Sequence, residues 1–386
     1  MEGRRRLMKF VTSRSEALDK LNQFIENDIS NYNNKRNFDF GVANRSNVSC
    51  LSPYITHRLI NEYETAKIVL KKYPFQKVDK FIQEIFWRIY WKGWLELRPK
   101  VWTDFIEDLK IIKEDENYLK ATNGETNIEC FNDWVNELKN FNYLHNHTRM
   151  LFASIWIFTL GLPWQKGAEF FLKHLYDGDA ASNTLSWRWV AGIQTKGKNY
   201  LAQSWNISKF TNNKYKEVKL NETALPIIDK REYKISPVQI NKNENLNDHL
   251  IVFENEMHNG IYEQKRYKKI HFVLLGNENR LVNLSSKVID FKRNIIKTKL
   301  NDIQNEAEIL DGNGLTNFTK NFKSFDVLYP SIGENFSLLK RLVKTNNLNI
   351  NFITRKEDEF CWKFSNKGYF NFKSNIPKIL STFKLN

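Results

Sequence analysis

The chain has 386 residues, more than the ~250–300 at which one hydrophobic core usually stops growing, so two domains are expected. Fifty-nine Lys and Arg against forty-four Asp and Glu give a formal charge of +15, which favours polyanionic partners such as nucleic acid, although the Asn- and Lys-rich composition accounts for the charge equally well. Three scattered cysteines, Cys50, Cys130 and Cys361, form no CxxC pair, so a disulfide framework, a zinc ribbon and a four-Cys iron–sulfur cluster are excluded and no metal is expected.

The N-terminal MEGRRRLMKF is basic but lacks the apolar run of a secretory signal, and a cytoplasmic protein is expected. From Ser13 to Phe210 apolar residues recur at helical spacing, as in EALDKLNQFIEND, VDKFIQEIFWRIYWKGWLEL, CFNDWVNELKNF and GAEFFLKHLYDG. Met150 to Trp164 is the longest apolar stretch, too short for the ~20 residues that span a bilayer, and reads as a buried core helix. Residues 216–248 carry two prolines, scattered charge and no periodicity, the pattern of an extended linker. Beyond them HLIVFE, IHFVLLG, AEILDG, FDVLYP and INFITR alternate with amphipathic segments such as SKVIDFKRNIIKTKLNDIQ and ENFSLLKRLVKT, which predicts a parallel, Rossmann-like α/β sheet. The expected architecture is an all-helical domain over 1–215, a linker over 216–248 and an α/β domain over 249–386.

No Walker P-loop, GxGxxG, HExxH or GxSxG is present, which leaves four clusters in the helical half. The first is Ser49-Cys50-Leu51-Ser52-Pro53-Tyr54, in which small hydroxyls and backbone N–H groups opening a helix suit a pyrophosphate; Ser52 before Pro53 reads equally as an ordinary helix start. The second is Glu84-Ile85-Phe86-Trp87-Arg88, whose i, i+3, i+4 spacing puts Glu84, Trp87 and Arg88 on one helical face. The third, Leu144 to Met150, does the same for Asn146, Arg149 and Met150. The fourth is Asp177-Gly178-Asp179 followed by Asn183, Trp187, Arg188 and Trp189; alone, its acidic turn reads as an N-cap. Trp187 and Trp189 point about 200° apart on a helix, so they serve different surfaces.

In order and spacing these clusters resemble the FAD-binding domain of the DNA photolyase and cryptochrome superfamily. The resemblance implies FAD held by Tyr32, Ser49, Leu51, Ser52, Arg88, Asn146, Arg149, Asp177, Asp179 and Asn183, with Asp177 paired to Arg149 and Asn183 facing flavin N5. It implies a cyclobutane pyrimidine dimer held by Glu84, Trp87, Asn146, Met150 and Trp189, since relatives that repair (6-4) lesions carry His where Asn146 and Met150 stand. Trp187 takes the position of the flavin-proximal electron donor and Trp164 that of the next ring outward; Trp134, Trp156 and Trp102 are candidates for the outermost ring. Arg36, Lys196 and Lys198, with Lys209, fall at positions suited to DNA phosphate.

The sequence departs from the family at Val48, Cys50 and His147, and in QTKGKNYLAQSWN (194–206). Because the helical half comes first and Glu359 to Pro377 resembles the end of an antenna domain, the resemblance implies a circular permutation. Asn255 to Gly260 stand where an Arg-rich segment is usual, which speaks against a second, antenna chromophore. The implied function is light-driven dimer repair in DNA by a monomeric deoxyribodipyrimidine photo-lyase. A cryptochrome-like photoreceptor, or a basic flavoprotein that binds single strands, are the other readings.

Overall fold

The computed structural model describes residues 9–238, 240, 246–258, 260 and 267–385. The basic N-terminal segment up to Met8, six residues of the expected linker and Asn259 lie outside the described residues. Helices α1 (Arg14–Asn27), α2 (Tyr32–Lys35), α3 (Ser52–Thr56), α4 (Glu62–Lys72), α5 (Phe75–Glu96), α6 (Lys100–Ile111), α7 (Glu116–Asn123), α8 (Glu129–Phe141), α9 (Asn146–Ser154), α10 (Trp164–His174), α11 (Ala180–Val190) and α12 (Ser204–Phe210) occupy the first half. Residues 216–238 then carry no helix or strand.

The C-terminal half alternates β1 (His249–Phe253), β2 (Lys269–Val273), α13 (Ser286–Asp302), β3 (Ala307–Leu310), α14 (Gly312–Asn321), β4 (Ser324–Leu328), α15 (Glu334–Asn346) and β5 (Asn349–Ile353), and ends in α16 (Lys356–Trp362), α17 (Tyr369–Ser374) and α18 (Ile376–Thr382). All five strands are parallel, in the order β3-β2-β1-β4-β5. This is the expected combination of a helical part with a Rossmann-like parallel sheet. The strand runs are largely apolar, interrupted by His271, Glu308, Asp326 and Asn351, because crossover helices cover both faces of such a sheet. Its core is built by Ile251, Phe253, Val273, Leu275, Phe325, Val327, Leu315, Leu338 and Leu339.

One expectation is corrected. The apolar stretch Met150 to Trp164 is not a single helix. α9 stops at Ser154, a π-helical turn covers Ile155–Thr159, and Gly161 at φ +68 followed by Pro163 breaks the chain before α10 starts at Trp164. A left-handed glycine and a proline end a helix more strongly than apolar periodicity continues it.

The chain divides into two compact units that interleave along the sequence. The first comprises Met1–Phe10, Asn22–Cys50 and Thr103–Glu232; the second comprises Val11–Leu21, Leu51–Trp102 and Tyr233–Asn386. Helices α3 to α5 thus belong to the same unit as the sheet. Inside that unit the His57 N–δ1 edge meets the Glu254 carbonyl at 3.0 Å and Met257 N–H donates to His57 O at 3.0 Å, tying the end of α3 to the end of β1. α5 lies against the C-terminal helices: Tyr90 OH donates to Lys367 O (3.1 Å) and Tyr369 OH to Gln83 O (2.9 Å). A Cβ at Gly93 would stand 2.9 Å from the Trp362 ring, so the close approach requires glycine.

Beyond the carboxyl ends of β1 and β4, where the strand order switches and doubly wound sheets hold ligands, this unit holds ion pairs. Glu254 meets Arg280 (2.6 Å), and Glu256 meets Arg58 (3.1 Å) and Arg355 (2.7 Å). The cavity among Arg58, Glu256, Tyr329, Arg355 and Asp358 measures about 10 Å³, room for one water.

Nearby, Glu96 accepts from Tyr329 OH (2.7 Å) and Ile332 N–H (2.9 Å), yet burial pushes its carboxyl up to about 7. A raised folded value means that the stabilisation is present below the unfolded carboxylate range and is lost as pH rises through about 7. Glu96→Gln keeps an acceptor for Ile332 and can donate to the Tyr329 oxygen. Its melting temperature is therefore expected to exceed that of the parent above pH 7, with the gap closing toward pH 5. A constant gap across that range would remove the titration of Glu96 as the cause.

Candidate functional site

In the first unit the site is organised by a loop that draws α9 and the acidic turn together. Asn142, at φ +57 where asparagine is tolerated, donates from Nδ2 to His174 O (2.7 Å), and its own carbonyl accepts from Tyr176 N–H (2.9 Å). From that clasp the chain runs on one side into α9 and on the other into the acidic turn, which meet in the ion pair between Arg149 and Asp177, at 2.9 Å, with the Asp177 side chain only 1% exposed. Arg149 is further fixed by its Nε, which donates to Leu144 O (2.9 Å), and by the Tyr143 ring 5.1 Å away. The pairing implied by the resemblance is present.

Asp179 caps α11, its Oδ1 accepting from Ser182 N–H at 2.7 Å, so the N-cap reading and the acidic turn coincide. One turn later Asn183 is buried and donates from Nδ2 to Ala168 O (2.8 Å), which sets the direction of its amide oxygen. Trp187, 2% exposed, packs edge-on against Phe171, with ring centroids 5.0 Å apart. Its ring fills the space that a side chain on Gly167 would need.

Among the described residues, the buried polar atoms without hydrogen-bond partners include three on this helix: Ser182 Oγ, Thr184 Oγ1 and Trp187 Nε1. Buried groups of this kind cost free energy unless something polar satisfies them. A buried carboxylate–guanidinium pair and a fixed amide suit the polar edge of a flavin. The residues present therefore fit the cofactor, with Arg149, Asp177, Asp179 and Asn183 as the groups that would hold it.

Behind α9 stands a buried charge cluster that sequence spacing does not reveal. Asp39 accepts from Thr148 of α9 and pairs with Arg45 (2.7 Å), and Arg45 also meets Glu137. Burial works to raise the Asp39 carboxyl, and Arg45, His145, Thr148 and the Gly41 N–H outweigh it, so it is held below its ordinary value. Burial drives His145 down to about 3, leaving a neutral ring at the head of α9. The same burial lowers His147, whose Nε2 lies 2.8 Å from Asn206 Oδ1.

Other residues singled out by sequence fall as follows. In the first unit Tyr32 and Arg36 border α2, Tyr32 edge-on to Phe24 at 5.9 Å; Ser49 is half-buried; Asn146 is exposed and Met150 half-buried on α9. Trp189 stacks on Tyr200 with centroids 5.7 Å apart. Lys196 is exposed and pairs with Glu232 (3.2 Å), while Lys198 is exposed. Among the tryptophans, Trp156 meets Trp187 edge-to-face at 6.2 Å, whereas Trp164 stacks on Phe105 at 5.7 Å. Trp156 in turn meets Tyr118 edge-on at 5.9 Å.

In the second unit Leu51 is buried and stands just before Ser52, which opens α3. Glu84, Trp87 and Arg88 share α5, as their spacing requires, and Arg88 Nη1 is buried without a partner among the described residues. Trp87 lies flat against Tyr369 of α17, with centroids 3.3 Å apart and planes at 11°. Burial, and then the charge of Glu84, raise the Tyr369 hydroxyl, so the ring stays neutral.

Residues 81–247 match the FAD-binding domain of DNA photolyase. A deoxyribodipyrimidine photo-lyase of Buchnera aphidicola subsp. Baizongia pistaciae is 30% identical over 176 residues, 43% of this chain and 37% of that protein. One of Agrobacterium fabrum is 30% identical over 183 residues, 46% of this chain and again 37% of the relative, so the match spans less than half of either protein. A solved bacterial class III photolyase from Agrobacterium tumefaciens aligns with a TM-score of 0.45 and 26% identity, over 52% of this chain and 43% of that one. No helix among the described residues is long and apolar enough to cross a membrane. By this match the helical segment of the chain is similar to the FAD-binding domain of the DNA photolyase and cryptochrome superfamily, and the Arg149–Asp177 pair and the capped Asn183 helix lie within the matched residues.

Proposed function

We propose that the chain binds FAD through Arg149, Asp177, Asp179 and Asn183 and repairs cyclobutane pyrimidine dimers in DNA under light. The observation that carries the reading is the preformed ion pair of Arg149 with the buried Asp177, followed on one helix by Asn183 and Trp187, inside the matched segment. When bound and reduced, FAD supplies a light-excited electron donor. The chain's own part is to hold the ring against a buried amide, and the residues that the resemblance assigns to the lesion are Glu84 and Trp87 of α5 and Asn146 and Met150 of α9. A carboxylate acceptor beside a flat aromatic is what an extruded pyrimidine pair requires, and extrusion is easiest where pairing is already weakened. The reversed order of helical and α/β parts is read as a circular permutation.

A second reading has its own support. Because Tyr369 covers one face of Trp87, a cryptochrome-like photoreceptor that binds FAD without repair needs no rearrangement there. Illuminating the reduced protein with an oligonucleotide containing a thymine dimer separates the two. Dimer loss is expected, and Glu84→Ala should slow it about 10- to 150-fold, the worth of one charge-assisted hydrogen bond. No dimer loss from fully reduced protein would leave only the photoreceptor.

A further inference from the structure

Two histidines stand where the parallel sheet of the second unit is otherwise apolar. In the register of β1 with β2, His249 lies opposite Lys269 and Ile251 opposite His271, so both imidazoles share one face of the sheet with Ile251 and Phe253. Glu308 of β3 pairs with His271 and lies on that face too. Toward the carboxyl ends of the strands this face is the apolar core beneath α14; at their amino ends it turns to imidazole and carboxylate.

The polar side chains there form a directed chain. His271 Nδ1 lies 2.8 Å from Glu308 Oε1, and His271 Nε2 lies 3.0 Å from His249 Nδ1. A carboxylate only accepts, so in the neutral ring Nδ1 carries the proton and Nε2 turns its lone pair toward His249. Glu308 is itself held by Lys269 at 3.2 Å. Rings from α14 fix both imidazoles, with centroids of Phe322 4.4 Å from His249 and of Phe318 4.5 Å from His271. The His271 side chain is 3% exposed, whereas His249 is half-buried and Phe322 exposed, so the pair is packed from behind and open to solvent at one edge.

We propose that His249 Nδ1 and His271 Nε2 form a two-imidazole site for a divalent transition-metal ion, with Glu308 orienting His271 and water filling the remaining positions. A histidine that binds metal through one nitrogen characteristically donates from the other to a carboxylate, as His271 does here. Two nitrogens each about 2.0–2.1 Å from an ion stand about 2.9 Å apart at a right angle and about 3.3 Å apart at a tetrahedral one. The observed 3.0 Å matches the right angle, which suits Cu2+ or Ni2+ better than tetrahedral Zn2+. Among the described residues no group of three or more His, Cys, Asp or Glu side chains is placed to hold a metal, so the ion has two protein ligands and exchanges with solvent. The expectation of no metal rests on the scattered cysteines and does not extend to an imidazole pair. Neither FAD nor DNA takes part, so the site stands or falls independently of the repair reading.

The test is equilibrium dialysis of the full chain, free of any histidine tag, against nickel chloride, with calorimetry for the affinity. One nickel ion per chain is expected, and Cu2+ should bind more tightly than Ni2+. His249→Phe, which keeps a ring against Phe322, should abolish that ion. Glu308→Gln should melt near the parent temperature without metal yet bind nickel about 10- to 100-fold more weakly. Saturating nickel should raise the melting temperature of the parent and leave that of His249→Phe unchanged. Should His249→Phe fail to fold, the parent decides: Cu2+ should broaden the NMR ring signals of His249 and His271 before those of the other histidines. A parent that binds no ion, binding undiminished in His249→Phe, or broadening that begins at other histidines overturns the proposal. Affinity unchanged in Glu308→Gln overturns the positioning role of that carboxylate.

Discussion

Replacing Arg58 by methionine is expected to lower stability by about 3–5 kcal/mol, roughly 10–15 °C in melting temperature for a unit of this size. Arg58 is 2% exposed and lies 2.8 Å from Asp358, 3.1 Å from Glu256 and 3.9 Å from Glu62. Glu256 retains Arg355 at 2.7 Å, but Asp358 and Glu62 would lose the guanidinium that faces them. Such a pair adds little over a well-packed apolar core, yet removing one side strands buried charge.

The backbone gives a second measure of how strongly this side chain is retained. Arg58 sits at φ +52, a region that a non-glycine residue enters only at a cost. Arg58→Gly relieves that strain and still strands the carboxylates, so it should also be destabilised; a stabilised glycine variant would show that the backbone outweighs the ion pairs.

The pH dependence has a definite sign. Burial acts to raise the Asp358 carboxyl, and Arg58 outweighs it, so the folded value lies below the ordinary one. A depressed folded value stabilises above the unfolded carboxylate range, and that contribution is lost as pH falls through the folded value. The deficit of Arg58→Met against the parent should therefore be full near pH 7 and shrink as the medium is acidified toward pH 3. Denaturant unfolding at both pH values measures it, and a deficit below about 1 kcal/mol at pH 7 contradicts the electrostatic account.

What the sequence could reveal of this molecule follows from the range of each signal. The five strands are legible because a parallel sheet buried on both faces writes itself as short apolar runs, and each expected run overlaps an observed strand. The helices are legible from their period, except where Gly161 and Pro163 interrupt an apolar stretch that looks continuous.

The segment after residue 215 reads as structureless, and it carries no helix or strand up to residue 238, but composition conceals how it is pinned. Ile227 N–H donates to Ala191 O, Asn199 donates to Ala224 O, and Arg188 meets Asp229 at 3.3 Å. At the site, Arg149 with Asp177 emerges only from the order of motifs, since a gap of this length has no periodic signature. Asp39, Arg45 and Glu137 leave no trace in the sequence, because three separated charges look like any solvated ones until folding buries them together. The stacking of Tyr369 on Trp87 is silent for the same reason: the two residues lie at opposite ends of the second unit's chain.

Arg149→Met is expected to cost about 3 kcal/mol, because it leaves the carboxylate of Asp177 buried and without its guanidinium. The informative variant is the double replacement Arg149→Met with Asp177→Leu. Exchanging a whole buried pair for apolar side chains of similar volume is often neutral, so most of the lost stability should return. The surplus of the double variant over the sum of the singles measures the coupling between the two residues. A pair that exists only to join α9 to the acidic turn would then be dispensable, and the double variant would hold flavin as well as the parent does. A pair that faces the cofactor cannot be replaced in this way, because leucine and methionine offer nothing to the polar edge of the ring. The expected result is a protein that melts near the parent temperature but is purified without flavin absorbance and does not regain it with added FAD. Retention of FAD at the parent stoichiometry by the stable double variant would move Arg149 and Asp177 out of the cofactor site and leave them as a structural clasp.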